Sequence, residues 1–185
     1  MKSTRFVFGR ALAVLCALLF VSFGFMSCQQ EDDGNELPDG VYELSDNSAL
    51  IGTWVNSYSG GTSVYKITSS TFDNSGTSSN YNGTTSTYNS YAGNNLVVSY
   101  TNDEETAGYI YIKYTRAMNP DYSETAPDVG KWYAIAFKEL TASSVSLSGA
   151  YNASGKTSAE TLEEAISTFT IAKGYFSTYS ECVKQ

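Results

Sequence analysis

From residue 51 onward the chain is cut into short runs of Tyr, Val, Ile and Thr by clusters of Gly, Asn, Asp and Ser. Runs of that composition favour strands, and the clusters between them favour turns. Residues 51–58 and 63–68 form a first pair joined by Ser59-Gly60-Gly61, and 70–73 reads as a short third strand. Residues 96–101 and 108–115 follow, around an Asp103-Glu104-Glu105 turn. A longer loop, 116–129, carries Pro120 and Pro127 and leads into a long strand over 130–140. Strands this short and this regularly spaced imply an antiparallel barrel or sandwich.

Alternation assigns the faces. Tyr109 and Tyr111 oppose Ile110, Ile112 and Tyr114, while Trp132, Ala134 and Ala136 oppose Tyr133, Ile135 and Phe137. In 143–151, Val145, Leu147, Gly149 and Tyr151 oppose Ser144, Ser146 and Ser148. Apolar side chains on both faces mean that both sides of these strands are covered. Small residues such as Ala134, Ala136 and Gly149 on inward faces would leave room for a ligand, since a small barrel is either filled by side chains or holds one small molecule. Residues 74–94 carry Ser, Thr, Asn, Gly and Tyr without a firm period; one polar strand at 79–85 is expected inside a mobile connection. Tyr81, Tyr88 and Tyr91 there have the character of adaptable recognition residues.

One helix interrupts the strands. Thr157-Ser158-Ala159-Glu160 and Thr161-Leu162-Glu163-Glu164 both fit a capping box, so two starts are open. Leu162, Ala165, Ile166 and Phe169 then make one apolar stripe. Lys173-Gly174 should end the helical stretch, and 175–183 could close the domain as a strand.

The strand series opens with Gly52-Thr53-Trp54. A Gly-x-Trp at the start of the first strand, about seven further strands and a late helix resemble the lipocalins and the wider calycin group. In character and order, Tyr65-Lys66-Ile67-Thr68 and the runs 108–114 and 131–137 resemble a bacterial set of lipocalin-like lipoproteins. The resemblance implies an all-β fold: an antiparallel up-and-down β-barrel with one short C-terminal helix. It also implies that Trp54, with Gly52 beside it, plugs the closed end and that a late basic residue packs over the ring. Lys173 is the candidate for that partner.

The N-terminus supplies an address. Lys2, Arg5 and Arg10 precede sixteen residues, 11–26, without a charge. That run is short for a membrane-spanning helix, and a charged start, a brief apolar stretch and a small residue describe a secretory signal. Phe25-Met26-Ser27-Cys28 resembles the lipobox of bacterial lipoproteins, in which the cysteine becomes an acylated N-terminus. The expected organisation is a signal peptide over 1–27, an acidic flexible tether over 28–48 and a lipocalin-like domain over 49–185. Gln29-Gln30 after the cysteine favours the outer membrane, and Glu31-Asp32-Asp33 resembles surface-export signals of some lipoproteins.

Removal of residues 1–27 leaves Lys plus Arg at 8 instead of 11 against 19 Asp plus Glu, so the net charge moves from −8 to −11. Such a field repels nucleic acid and anionic surfaces. There is no histidine, which removes imidazole bases and the familiar triads. With Cys28 acylated, Cys182 is the only thiol left, so neither a disulfide nor a zinc site of Cys and His is available. Asn102 to Glu105, and Asn119 to Asp121 with Glu124 and Asp128, offer oxygen ligands but not the spacing of a calcium loop. The chain therefore reads as a non-enzymatic binding module without cofactor, catalytic residue or metal. It would be held to the membrane through acyl chains on Cys28 and would take a small apolar or amphipathic ligand. A surface protein that engages a protein or glycan is the alternative.

Overall fold

The computed structural model describes residues 36–118 and 121–185. The signal segment, Cys28 and residues 29–35 of the tether lie outside those residues. Residues Leu37–Gln185 form one compact unit.

The strands are β1 (Tyr42–Glu43), β2 (Gly52–Tyr58), β3 (Gly61–Ile67), β4 (Phe72–Ser79), β5 (Thr85–Tyr100), β6 (Gly108–Arg116), β7 (Trp132–Lys138), β8 (Ser144–Gly149) and β9 (Ser180–Lys184). From β2 to β9 each strand pairs antiparallel with its neighbour in sequence, and β9 returns to β2. The result is a closed up-and-down barrel of eight strands, as the Gly-x-Trp resemblance implies. Closure removes the sheet edges that would otherwise template aggregation.

The 16-residue β5 is the hinge of the architecture. Its first half pairs with β4 as far as Phe72 and Gly93. Its second half pairs with β6, from Ala92 opposite Arg116 to Tyr100 opposite Gly108. Where β4 falls away, β1 takes its place, with Tyr42 opposite Val98. Register shifts in both ladders mark the changeover. Bulges of this kind bend and twist a strand, which a small barrel needs to close. Arg116 spans the distortion. It pairs with Asp73 at 2.8 Å and donates to the Asn74 carbonyl at 3.3 Å and to the Ser90 carbonyl.

Residues 37–48, expected as tether, belong to the packed domain. Val41 and Leu44 are buried in the core, and β1 is hydrogen-bonded to β5. Isolated apolar residues in an acidic stretch carry no period, so this packing has no local signature.

Residues 74–94 are also more ordered in architecture than expected. They form most of β4 and the first half of β5, and 79–85 is their hairpin turn, not a strand. Cross-strand hydroxyl pairs take the place of apolar burial: Thr62 with Thr77 at 2.9 Å and Ser79 with Thr85 at 3.0 Å. Asn80 Oδ1 accepts from the backbone of Asn82 and Thr84, and Gly83 sits at φ 75°. Such side-chain pairs are the unit of sheet stability where no core is available.

The outward face of β6–β8 is covered as well. Tyr111, Ala134, Ala136, Ser146 and Ser148 are buried there, and the chain after Gly174 lies along it with Phe176 5.5 Å from Tyr109. Residues 175–179 are therefore a strap, and β9 is shorter than the 175–183 strand expected. The helix α1 (Leu162–Thr168) takes the later of its two starts: Thr161 caps it and accepts from Glu164 N at 3.2 Å. Glu164 in turn accepts from Glu160 N. Leu162, Ala165 and Phe169 form the buried side of the stripe, and α1 lies against β7.

Candidate functional site

The barrel has two unlike ends. The tight turns 67–72, 100–108 and 138–144 lie at one end, with residues 37–50 folded beneath them. Hairpins 58–61 and 79–85, the loop after β6 and the helical connection after β8 lie at the other.

Trp54 plugs the first end. It is fully buried, and its indole N–H donates to the Leu50 carbonyl at 2.7 Å. The basic residue over the ring is Lys184, not Lys173. Lys184 Nζ stands 4.9 Å from the ring centroid and donates to the Ala49 carbonyl at 3.1 Å. Lys173 Nζ donates instead to the Ser167 carbonyl at the end of α1. The reason is register: β9 pairs Lys184 with Trp54, so both side chains project to the same side. Gly52 makes this possible, because a Cβ there would sit 2.5 Å from Lys184 Cε at φ 147°.

The middle of the barrel is occupied by side chains. Tyr65, Phe72, Tyr91, Tyr133 and Tyr114 form a continuous chain of ring contacts, with centroids 4.8–6.1 Å apart. Ile110, Ile112 and Ile135 are fully buried beside them. The room expected from small residues is already used. Ala134 and Ala136 pair with Tyr111 and Tyr109 on the outer face. Gly149 does face inward, but a Cβ on it would lie 2.6 Å from the Tyr133 hydroxyl and 3.0 Å from that of Tyr91.

Toward the other end the interior becomes polar, and Phe169 from the helical connection packs on Tyr133, with ring centroids 5.9 Å apart. The Tyr65 hydroxyl donates to Ser180 Oγ at 2.9 Å and that of Tyr133 to the Ala150 carbonyl at 3.1 Å. The Tyr114 hydroxyl is buried and, among the described residues, has no partner in good hydrogen-bond geometry, although the Tyr133 hydroxyl lies close enough to interact with it. Burial pushes the Tyr91, Tyr114 and Tyr133 phenols well above their ordinary range. They remain neutral donors at any physiological pH and offer neither a base nor a nucleophile. Beyond them, β2–β5 extend as a polar wall. Tyr88 on that wall bonds Ser63 Oγ at 3.2 Å and the Thr62 carbonyl at 3.3 Å. Tyr58 is half exposed there, and Tyr81 projects fully into solvent at the 79–85 turn.

No group of three or more acidic, cysteine or histidine side chains converges among the described residues. Cys182 is buried, and burial pushes its thiol up to about 12. Sequence reasoning missed Lys184 and Tyr114. Lys184 stands one residue beyond the expected last strand, and the unpaired state of Tyr114 emerges only when three strands meet. No family model matches the chain, and the searches of curated proteins and of solved structures give no match.

Proposed function

We propose that this is a lipid-anchored envelope protein, tethered by acyl chains on Cys28, whose barrel binds a small amphipathic molecule without chemistry. The ligand sits at the end opposite Trp54, above the filled middle. An acceptor oxygen of the ligand takes a hydrogen bond from the Tyr114 hydroxyl, and its apolar part packs over the Tyr133 ring when the Phe169 side chain that covers that ring moves aside. The observation that carries this reading is the buried Tyr114 hydroxyl without a partner in good geometry. Leaving such a group unsatisfied costs about 1–3 kcal/mol, and a fold keeps that cost where the group has a use. The rings supply area and the hydroxyl supplies orientation, the usual division of labour in small-molecule sites.

Solvent extraction of protein purified from its native host, followed by mass spectrometry, tests this. A compound carrying an acceptor oxygen should be recovered in near-stoichiometric amount from the wild type and be depleted from Tyr114→Phe. An empty wild-type extract contradicts the proposal.

The exposed tyrosines support a second reading, in which the polar wall engages a protein or glycan. Tyr81 at the tip of the β4–β5 hairpin is the feature in its favour. Pull-down from the native envelope would then recover a reproducible partner that is lost when residues 80–84 are shortened to a two-residue turn.

A further inference from the structure

Closure of the barrel stops short of its upper wall. β6 meets β5 only from Ala92 onward, so residues 85–91 pair with β4 on one side and with no strand on the other. At the far edge of the wall β2 pairs with β9 only at Trp54 and Val55, but there the Asn56 amide caps the edge by donating to the Glu181 carbonyl. We propose that the free edge of β5 pairs antiparallel with the same edge of a second copy of this chain, with Thr87 opposite the partner's Thr87 across a two-fold axis.

The direction of the backbone gives the register. Ser79 N–H donates to the Gly60 carbonyl at 2.7 Å, and Asn80 N–H to the Thr84 carbonyl at 3.0 Å. Successive strand residues turn their main-chain groups to alternate sides. Ser79 faces β3 and Thr84 faces β4, so Thr85, Thr87 and Asn89 turn their N–H and C=O groups away from β4. Their side chains are exposed, and among the described residues no backbone partner meets them. An axis at Thr87 lets all three bond at once: Thr87 with the partner's Thr87, and Thr85 with the partner's Asn89 in both directions. It also repeats a contact that the wall already uses, the Thr62–Thr77 hydroxyl pair at 2.9 Å.

Charge points to the occupant. The chain carries −8 overall, yet residues 51–65 and 74–102 contain no charged side chain. Those two segments build most of the upper wall. Proteins guard a free edge with lysine, proline or an inward charge, and residues 85–91 have none of these. A second acidic copy is repelled by the rest of the surface but meets no like charge here. A basic partner would find no carboxylate on this edge to bind. One short strand pair is small beside the roughly 1,200–2,000 Å² of a stable interface, so the association is weak and calls for a covalent trap.

The pairing does not rest on the Tyr114 site, so either proposal can fail without the other. The test expresses full-length Thr87→Cys in the native host and oxidises intact cells with copper phenanthroline. Opposed Cα atoms in such a pair lie about 5.5 Å apart, within disulfide reach. A disulfide-linked homodimer should form roughly tenfold faster than with Tyr81→Cys, whose position at the fully exposed hairpin tip sets the rate of chance collision. Wild type, oxidised in parallel, gives the background from its own cysteines. Added to Thr87→Cys, Thr85→Lys with Asn89→Lys should slow the reaction about fivefold, because like charges then stand opposite each other. Thr85→Lys with Asn89→Glu should restore it, because the opposed charges then attract. These side chains are all on the surface, so the fold is left in place. Equal rates for Thr87→Cys and Tyr81→Cys would overturn the proposal. So would a linked product whose second chain is another envelope protein, a rate untouched by the lysine pair, or no recovery with the charge swap.

Discussion

The lower and upper halves of β2–β5 are continuous strands with opposite characters. In the lower half, Trp54, Tyr65, Ile67 and Phe72 are buried and touch the rest of the core. In the upper half, Tyr58, Ser79, Thr85 and Ser86 are exposed, and hydroxyl pairs between strands replace apolar contact. A barrel can thus place its stability at one end and its adaptable polar surface at the other without changing topology. Fully burying one large apolar side chain stabilises by roughly 1.5–3 kcal/mol, whereas a cross-strand polar pair contributes roughly 0.2–1 kcal/mol. The lower half therefore sets the folding free energy, and the upper half is free to vary.

The contrast is broken most severely by Trp54→Ala. It removes the plug and leaves Lys184 without its ring, and a loss of about 3–5 kcal/mol is expected in urea unfolding. A loss below 1 kcal/mol would mean that the closed end is not the core. Gly149→Ala overfills the interior where the Tyr91 and Tyr133 hydroxyls stand, and about 1–3 kcal/mol should be lost. An unchanged midpoint would reveal free space in the middle of the barrel.

Alkaline titration sharpens the same boundary. The native state holds the protons of Cys182, Tyr91, Tyr114 and Tyr133 more tightly than the unfolded chain does. The stability they confer is complete below the ordinary thiol value of 9.0, and it is lost as pH rises through that value and past the ordinary phenol value of 10.0. With no histidine in the chain, no imidazole step interrupts the range from about pH 5 to 8. Urea midpoints across pH 7–11 should be level at first and then fall; a fall already complete by pH 8.5 would contradict the burial of these groups. At the other extreme, Tyr81→Ser in the exposed turn should change stability by less than about 0.5 kcal/mol. A larger loss would make the upper wall part of the core.

What could be read from the sequence follows the same division. Strands β6, β7 and β8 alternate apolar faces, and both faces of each are covered as the alternation implies. The Thr161 cap was one of two readings, and the stripe of α1 was visible at helical spacing. The first half of β5 was not legible, because Ser and Thr side chains held by cross-strand hydroxyls leave no hydrophobic period. The strap at 175–179 and the placing of Val41 and Leu44 depend on surfaces that exist only after the barrel closes. Lys184 was missed for the same reason: its partner is fixed by pairing between the first and last strands of the barrel. The Tyr114 side was legible as a face, but its unpaired hydroxyl was not, since being unpaired is a property of the assembled interior.

Tyr114→Phe tests the binding account most directly, because it separates stability from function at one atom. Urea midpoints would be measured for wild type and variant purified from the native host, before and after solvent extraction and refolding. The account predicts that extraction lowers the wild-type midpoint and leaves the variant's unchanged. It also predicts that the extracted variant is more stable than the extracted wild type by about 1 kcal/mol, because an unsatisfied hydroxyl is gone. Equal midpoints for wild type before and after extraction, with the variant no more stable than wild type, would contradict it.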